Sequence, residues 1–397
     1  MRKLRCRRLT PTELNSMTMG GGPEPKSLRE KILVALPGAR PDHLLERLKK
    51  KFPDVEIDFT EIAFKLDPDV PKELFADITI LVTFNGLPKS LDWAPKLKWL
   101  HLLSAGSNHV HNNPIWKEKD ITITTSSGIH GPQIAEWVVL TTLVRTHYYN
   151  FLHDAQKEHK WSKYGSDQVV HDLVGQRLGV LGYGSIGRQV GRVARALGTD
   201  VIAYTATPKD TPEQRRDHGF IVPGTGDADG SIPSAWYSGL DKKSLHEFLS
   251  QDIDILLVSV PLTEETRGFL SADEFRVLSE GSSRQTNGVV AAHRDRAKGG
   301  KGPVVVNISR GQIVDQPALV QALTDGTLGG AALDVTDPEP LPAGDPLWSA
   351  PNITITPHIS GNGASYTDRS FQILEANLGR LESGDRLLNV VDRKRGY

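Results

Sequence analysis

Three side chains able to hold, polarise and protonate a carbonyl lie in the last third of the chain, each just beyond a short apolar run. Arg310 follows VVVNIS, Glu339 lies in ALDVTDPEPLP with Asp334 five residues before it, and His358 closes ITITPH. An imidazole is suited to deliver a proton to an oxygen that gains negative charge. A carboxylate beside it favours the protonated ring. A guanidinium offers a planar fork to a carboxylate and a carbonyl, which a lysine ammonium does not reproduce. Together they suit reduction of a ketone by hydride, or the reverse oxidation. An arginine that stabilises the developing charge is worth on the order of 3 kcal/mol in the barrier. Singly, each residue has a plainer reading: a surface histidine, an ordinary salt bridge, a loop carboxylate. It is their convergence after strands that points to a site.

The hydride carrier has its own signature upstream. Gly182, Gly184 and Gly187 form G-x-G-x-x-G between the apolar run LGVLG and the amphipathic SIGRQVGRVARALG. Glycine loops are common, but this strand–turn–helix setting is the one that dinucleotide binding requires. The glycines permit the turn, the approach of backbone N–H groups to a pyrophosphate and close helix packing, and the N-terminus at Ser185 and Ile186 supplies partial positive charge. An acid at the end of the next strand would bond the ribose 2′-hydroxyl. That strand, VIAYT, instead ends at Thr205 and Ala206; Asp200 lies at its other end, and Lys209, Arg215 and Arg216 follow. Without a repelling carboxylate, NADP(H) is slightly favoured over NAD(H).

These groups need a scaffold that brings strand ends together. KILVAL, DVEIDF, DITILVTF and LKWLHLLSAG read as strands of a first α/β unit, with PDHLLERLKKKF helical between the first two. Residues 133–161 read as one long helix, apolar nearly all round in its first half and therefore buried at a junction. A second unit starts at the glycine motif and continues through DIDILLVSV, PVVVNIS, GAALDV and ITITPH. Strands alternating with helices predict parallel sheets covered on both faces. In such sheets ligands sit beyond the carboxyl ends of strands, which puts Val260, Pro261, Thr263, Ile308 and Ser309 along the cofactor edge. Residues 217–238 and 279–303, rich in Gly, Pro, Ser and charge, read as surface loops. FQILEANLGRLESG is a helix returning to the first unit.

Composition narrows the class. A chain of 397 residues suits two domains. Lys plus Arg (47) balances Asp plus Glu (48), so no global charge draws it to nucleic acid or an anionic membrane. No apolar run approaches the ~20 residues of a spanning helix. One cysteine, Cys6, excludes an internal disulfide framework and a Cys-based zinc cluster, and no metal is expected. A reducing, cytoplasmic setting follows. Arg2, Lys3, Arg5, Arg7 and Arg8 precede any acid, as in organelle transit peptides, which leaves a mitochondrial address open; residues 1–28 otherwise read as a disordered tail.

NISRGQIVD, GAALDVTDPEPLP, PNITITPHIS, VSVPLTEETRGFL and the glycine motif together resemble the D-isomer-specific 2-hydroxyacid dehydrogenases, over roughly residues 30 to 397. The subgroup most similar is the glyoxylate/hydroxypyruvate reductases. The resemblance implies an α/β protein of two Rossmann-like or flavodoxin-like domains with the active site in the cleft between them. It implies a substrate domain of residues 29–143 and 362–397, a nucleotide domain of 144–361, and a homodimer made through the long helix. It gives His358 the acid/base role, Glu339 that of its partner and Arg310 that of substrate orienter. Asp334 resembles the residue that bonds the nicotinamide carboxamide. Backbone N–H groups at Ala105 and Gly106 would take the substrate carboxylate, and Phe84, Asn85 and Gly86 would shape its pocket. His358 and Asp334 would both face the nicotinamide. Two alternatives share the fold. Formate dehydrogenase pairs its histidine with glutamine, which Glu339 argues against; a dinucleotide-sensing, corepressor-like protein keeps the same residues and stays open.

Overall fold

The computed structural model describes residues 29–63, 65, 67–163, 170–282, 302–394 and 396. The expected N-terminal tail, and most of the expected loop 279–303, lie outside the described residues. Residues 279–282 complete a helix, Ala272–Ser282.

Two wholly parallel sheets organise the chain. The first holds β1 (Lys31–Leu36), β2 (Glu56–Glu61), β3 (Ile80–Thr83), β4 (Trp99–Leu102) and β5 (Thr122–Thr125), in the order β2-β1-β3-β4-β5. The second holds β6 (Arg177–Leu181), β7 (Asp200–Thr205), β8 (Ala235–Ser238), β9 (Ile255–Val258), β10 (Val304–Asn307), β11 (Gly330–Leu333) and β12 (Ile353–Ile355), in the order β12-β11-β10-β9-β6-β7-β8. These are the flavodoxin-like and Rossmann orders. Each reverses direction beside its first strand, and the reversal opens a crevice at the carboxyl ends. Strands β3, β4, β9, β10 and β11 are buried at every position, as strands of a doubly covered sheet must be.

Helix α1 (Asp42–Lys51) covers the first sheet with Leu44, Leu45 and Leu48, its acid in the first turn and its lysines in the last. The segment expected as one helix is two. α2 (Gly131–Thr146) stops where Tyr148 takes a φ of 51°, and α3 (Tyr149–Lys157) begins anew. A left-handed residue cannot continue a right-handed helix. Ile134, Ala135, Trp137 and Val138 of α2 pack in one core with Leu178, Val180, Leu257 and Val306 of the second sheet. The expected crossing at residue 143 thus falls inside a helix already docked on that sheet. The final helix, α8 below, returns the other way: over Tyr366–Ser383 its Phe371, Leu374 and Leu378 join Ile32, Val34 and Leu48 in a core of the first sheet.

The expected loop 217–238 is corrected. Its last four residues are β8, paired in register with β7 from Ile202↔Ala235 to Thr205↔Ser238. The remainder is tied down: Tyr183 Oη donates to Asp227 Oδ2 at 2.8 Å, Arg188 Nη1 to the Asp227 carbonyl at 2.6 Å, and the Gly226 N–H to Gln189 Oε1 at 2.7 Å. Arg188 and Gln189 belong to α4 (Ser185–Ala196), the helix that follows the glycine turn. The other covering helices are α5 (Lys242–Leu249), α6 (Ala272–Ser282), α7 (Gln316–Thr324) and α8 (Tyr366–Ser383). No helix among the described residues is long and apolar enough to cross a membrane.

Candidate active site

Strand β6 ends in the glycine turn. Gly182 has a φ of 103°, and a side chain there would stand 2.6 Å from the Val260 nitrogen; one at Gly187 would stand 2.6 Å from the Gly182 carbonyl. Both positions are closed to any larger residue. At Gly184 an added Cβ meets nothing within 4 Å, so this is the turn's open side. Gly184 is the N-cap of α4 and supplies no side-chain cap, leaving the first N–H groups of the helix, at Ser185, Ile186 and Gly187, aimed at that space. The cradle has the shape and polarity that a pyrophosphate needs.

Along the same edge, Val260, Pro261 and Thr263 form a turn fastened by Thr266, whose Oγ1 donates to the Pro261 carbonyl at 2.7 Å and accepts the Thr263 N–H at 2.8 Å. Ile308 and Ser309 are buried beyond β10, and Ser309 Oγ donates to the Val260 carbonyl. Thr205 closes β7, its hydroxyl donating to the Thr207 carbonyl at 2.8 Å. Beyond it, Arg215 Nε donates to the Lys209 carbonyl at 2.8 Å while its guanidinium lies 5.7 Å from the Trp236 ring centre. Arg216 points away, 3.8 Å from Asp229.

The three chemical groups meet beyond β10, β11 and β12. His358 Nδ1 lies 3.1 Å from Glu339 Oε2, and the Thr336 N–H donates to Glu339 Oε1 at 3.0 Å. Burial pushes the Glu339 carboxyl up. Hydrogen bonds from His358 and Thr336, with the charges of His358 and Arg310, outweigh that and hold it below its ordinary value. The side chains of His358 and Glu339 remain 47% and 38% exposed, so the pair faces a cleft and not the core. Arg310 is more enclosed; its burial acts against the charge and Glu339 acts for it. Its Nη1 donates to the Ser309 carbonyl at 2.7 Å, and Asn307 Nδ2 holds the Arg310 carbonyl at 3.0 Å.

The loop after β4 comes to the same place from the other sheet. A Cβ on Gly106 would stand 3.1 Å from Arg310 Nη2, so this backbone lies flat against the guanidinium. Ala105 beside it is exposed. On the loop after β3, the Phe84 ring packs 5.6 Å from that of Tyr366, and the Asn85 amide is turned away to the Lys65 carbonyl. Gly86 donates its N–H to Thr83 Oγ1 at 2.8 Å, closing the turn.

The model of the D-isomer specific 2-hydroxyacid dehydrogenase NAD-binding domain matches residues 139–222 and 232–360, more than half of the chain. The chain belongs to this family. Among similar proteins, the putative 2-hydroxyacid dehydrogenase of Haemophilus influenzae is 30% identical over 294 residues, 72% of this chain and 78% of that one. The hydroxypyruvate reductase of Blautia hydrogenotrophica is 27% identical over 303 residues, 75% of this chain and 80% of the relative. The NADPH-dependent glyoxylate/hydroxypyruvate reductase of Sinorhizobium meliloti, solved with NADP and sulfate, superposes with a TM-score of 0.66 at 25% identity, over 93% of this chain and 100% of that one. This 2-hydroxyacid dehydrogenase is accordingly an NAD(P)-dependent oxidoreductase of CH–OH groups.

In this dehydrogenase Asp334 is tied to the segment of His358. It is buried and its carboxylate is fully occupied: Oδ1 accepts from Thr356 Oγ1 (2.6 Å) and the Ile359 N–H (2.9 Å), Oδ2 from the Ser360 N–H (2.9 Å) and Oγ (2.5 Å). Its backbone carbonyl also accepts the His358 N–H at 2.8 Å. His358 has a φ of 54°, a conformation costing a non-glycine residue about 1–3 kcal/mol unless its surroundings hold it. Asp334 provides that hold through its bonds to Thr356, Ile359 and Ser360.

Two further residues escaped the sequence reading. His109, three residues past Gly106, has its Nε2 2.7 Å from the Phe84 carbonyl, pinning the two loops of the first sheet together. Burial and the nearby charges of Arg310 and His111 outweigh that bond and lower its pKa. Tyr366 packs against Phe84 and, 4.9 Å edge-on, against His130, while its hydroxyl donates to the Leu103 carbonyl at 3.0 Å. The run SAGSNHV contained His109, but its bond to Phe84 spans 25 residues and leaves no local mark.

Proposed function

We propose that the chain reduces a small 2-oxo acid, of the size of glyoxylate or hydroxypyruvate, to its 2-hydroxy acid, the D isomer where the product is chiral, with NADP(H) slightly preferred to NAD(H). The observation that carries this reading is the contact of His358 with Glu339 in a cleft where Arg310 lies against Gly106. When bound, the nicotinamide supplies or accepts the hydride. Glu339 fixes the imidazole through Nδ1, leaving Nε2 to give its proton to the substrate oxygen. Arg310 holds the substrate carboxylate and faces the carbonyl oxygen, with the N–H groups of Ala105 and Gly106 as further donors. Phe84, Asn85 and Gly86 bound the pocket.

Gly182, Gly184, Ser185, Ile186 and Gly187 would cradle the pyrophosphate. Val260, Pro261, Thr263, Ile308 and Ser309 would line the nicotinamide half. At the other end, Thr205 brings no carboxylate to the ribose, and Lys209 and Arg215 bring cations, which suits a 2′-phosphate. The anchor role of Asp334 brings it into the site through His358. The chain forms a homodimer through α2 and α3, where Leu140 (59% exposed), Tyr149 (55%) and Phe151 (40%) leave an apolar surface open. The single cysteine suits a reducing, cytoplasmic setting.

The test crosses NADPH and NADH with glyoxylate, hydroxypyruvate, pyruvate and phenylpyruvate, following absorbance at 340 nm. Turnover of the small 2-oxo acids, lost in His358→Gln with cofactor affinity intact, is the expected outcome. Turnover that survives this substitution refutes the acid/base role, and a clear preference for NADH refutes the cofactor choice.

A further inference from the structure

The amino ends of the second sheet's strands, opposite the cofactor edge, border a cavity of about 220 Å³. With 3.3 Å per residue and strands of three to six residues, it lies about 10–20 Å from the glycine turn and His358. Gln176, Asp254 and Asn352, each immediately before a strand, line it together with His171, Asn150 and Arg145. Arg145 is the penultimate residue of α2. Its arm crosses Gly330, where any Cβ would stand 2.8 Å from the Asn352 carbonyl oxygen and 3.2 Å from Arg145 Cδ. Its Nε is enclosed and has no hydrogen-bond partner among the described residues. Burial also lowers its pKa. Tyr148 acts for the charge, but buried donors are nearly always paired, so an enclosed Nε without a partner stands out. The one carboxylate in the lining, Asp254, spends Oδ2 on the Arg177 N–H at 2.7 Å.

We propose that this cavity is an oxyanion site, separate from the active site, which takes a small phosphate or carboxylate compound on the Arg145 guanidinium. A planar fork matches the two oxygens of either group. The amides of Asn150, Gln176 and Asn352 give the walls neutral polar groups with no further anionic charge. The volume is below that of pockets for drug-sized ligands, which restricts the occupant to a compact molecule.

The experiment is isothermal titration of the NADPH-saturated enzyme, whose pyrophosphate cradle is then filled, with inorganic phosphate and, separately, with acetate, at constant ionic strength. Binding of at least one of them that persists in Arg310→Gln, and so lies outside the substrate carboxylate site, is expected, weakened tenfold or more in Arg145→Gln, with the kcat of Arg145→Gln unchanged. Asn352→Asp, at an exposed position outside α2 and α3, puts a like charge on the rim and should weaken binding comparably. No binding by the wild type, or equal binding by wild type and both variants, overturns the proposal. So does an Arg145→Gln variant that dissociates in sedimentation velocity while the wild type binds neither anion, because the guanidinium then serves a subunit contact.

Discussion

Asp334→Asn separates an anchor of the histidine segment from a ligand of the nicotinamide. The carboxylate accepts two donors on each oxygen, and each oxygen takes at least one backbone N–H, from Ile359 or from Ser360. Whichever way an asparagine is turned, its NH2 faces one of those N–H groups, and the hydroxyl beside it must rotate to accept. One buried N–H is left unpaired, costing about 1–3 kcal/mol, and the remaining bonds lose their charge assistance, about 1 kcal/mol each. The sum, at least about 3 kcal/mol, falls on the segment that holds His358 in its left-handed conformation. If that free energy sets the population with His358 in place, kcat drops at least roughly 100-fold, at 1.4 kcal/mol per factor of ten. Steady-state kinetics of 2-oxo acid reduction give kcat, and fluorescence titration gives the cofactor Kd. The anchor reading expects loss of kcat with an almost unchanged Kd. A variant that keeps kcat within threefold, or that loses cofactor affinity in proportion to kcat, refutes it.

Arg310→Lys keeps a charge but removes the fork; kcat/KM should fall by about 10²–10³, corresponding to about 3–4 kcal/mol, read with glyoxylate at fixed cofactor. Glu339 has its folded pKa below the ordinary 4.5, so its contribution to stability is present above 4.5 and is lost as the pH falls through the folded value. The thermal stability of wild type over Glu339→Gln should therefore vanish in acid; the pair is half exposed, so the gap stays under about 1 kcal/mol, and one that persists at the acid end contradicts the pairing. Lys209→Ala should raise KM for NADPH several-fold and leave that for NADH unchanged, as comparison of the two cofactors on one preparation shows.

The parts that were legible in the sequence are those whose function demands a residue type at a fixed local spacing. Gly182 and Gly187 have no room for a side chain, so the turn writes itself into six neighbouring residues. Arg310, Glu339 and His358 each end a recognisable apolar run. What stayed hidden depends on pairing at a distance. The hydrogen bonds of Asp334 reach 22 to 26 residues ahead, and nothing in LDV distinguishes an anchor from a ligand. Strand β8 has two aromatic β-formers, Trp236 and Tyr237, but only four residues, behind a stretch of Gly, Pro and Asp that reads as loop. The break at Tyr148 leaves the helical periodicity on either side intact. The cavity at Arg145 exists because strand starts more than a hundred residues apart share one edge, which no local pattern records.

The catalytic edge is interlocked in a way that explains why its residues arrive in this order. β10, β11 and β12 are neighbours, and each is tied through its following loop to the next. Gly311, just past Arg310, lies so close to the Thr336 carbonyl that any side chain would overlap it. The Thr336 N–H grips Glu339, and Asp334, before it, grips the segment of His358. Arginine, glutamate and histidine are thus fixed relative to one another within one sheet. The loop with Ala105 and Gly106, and the pocket wall at Phe84, come from the other sheet and meet Arg310 across the cleft. We propose a division on this geometry: arginine, glutamate and histidine are held within one sheet, whereas the loop at Gly106 reaches Arg310 from the other. Substitutions in the first group should therefore act on kcat, and substitutions around Gly106 and His109 on KM.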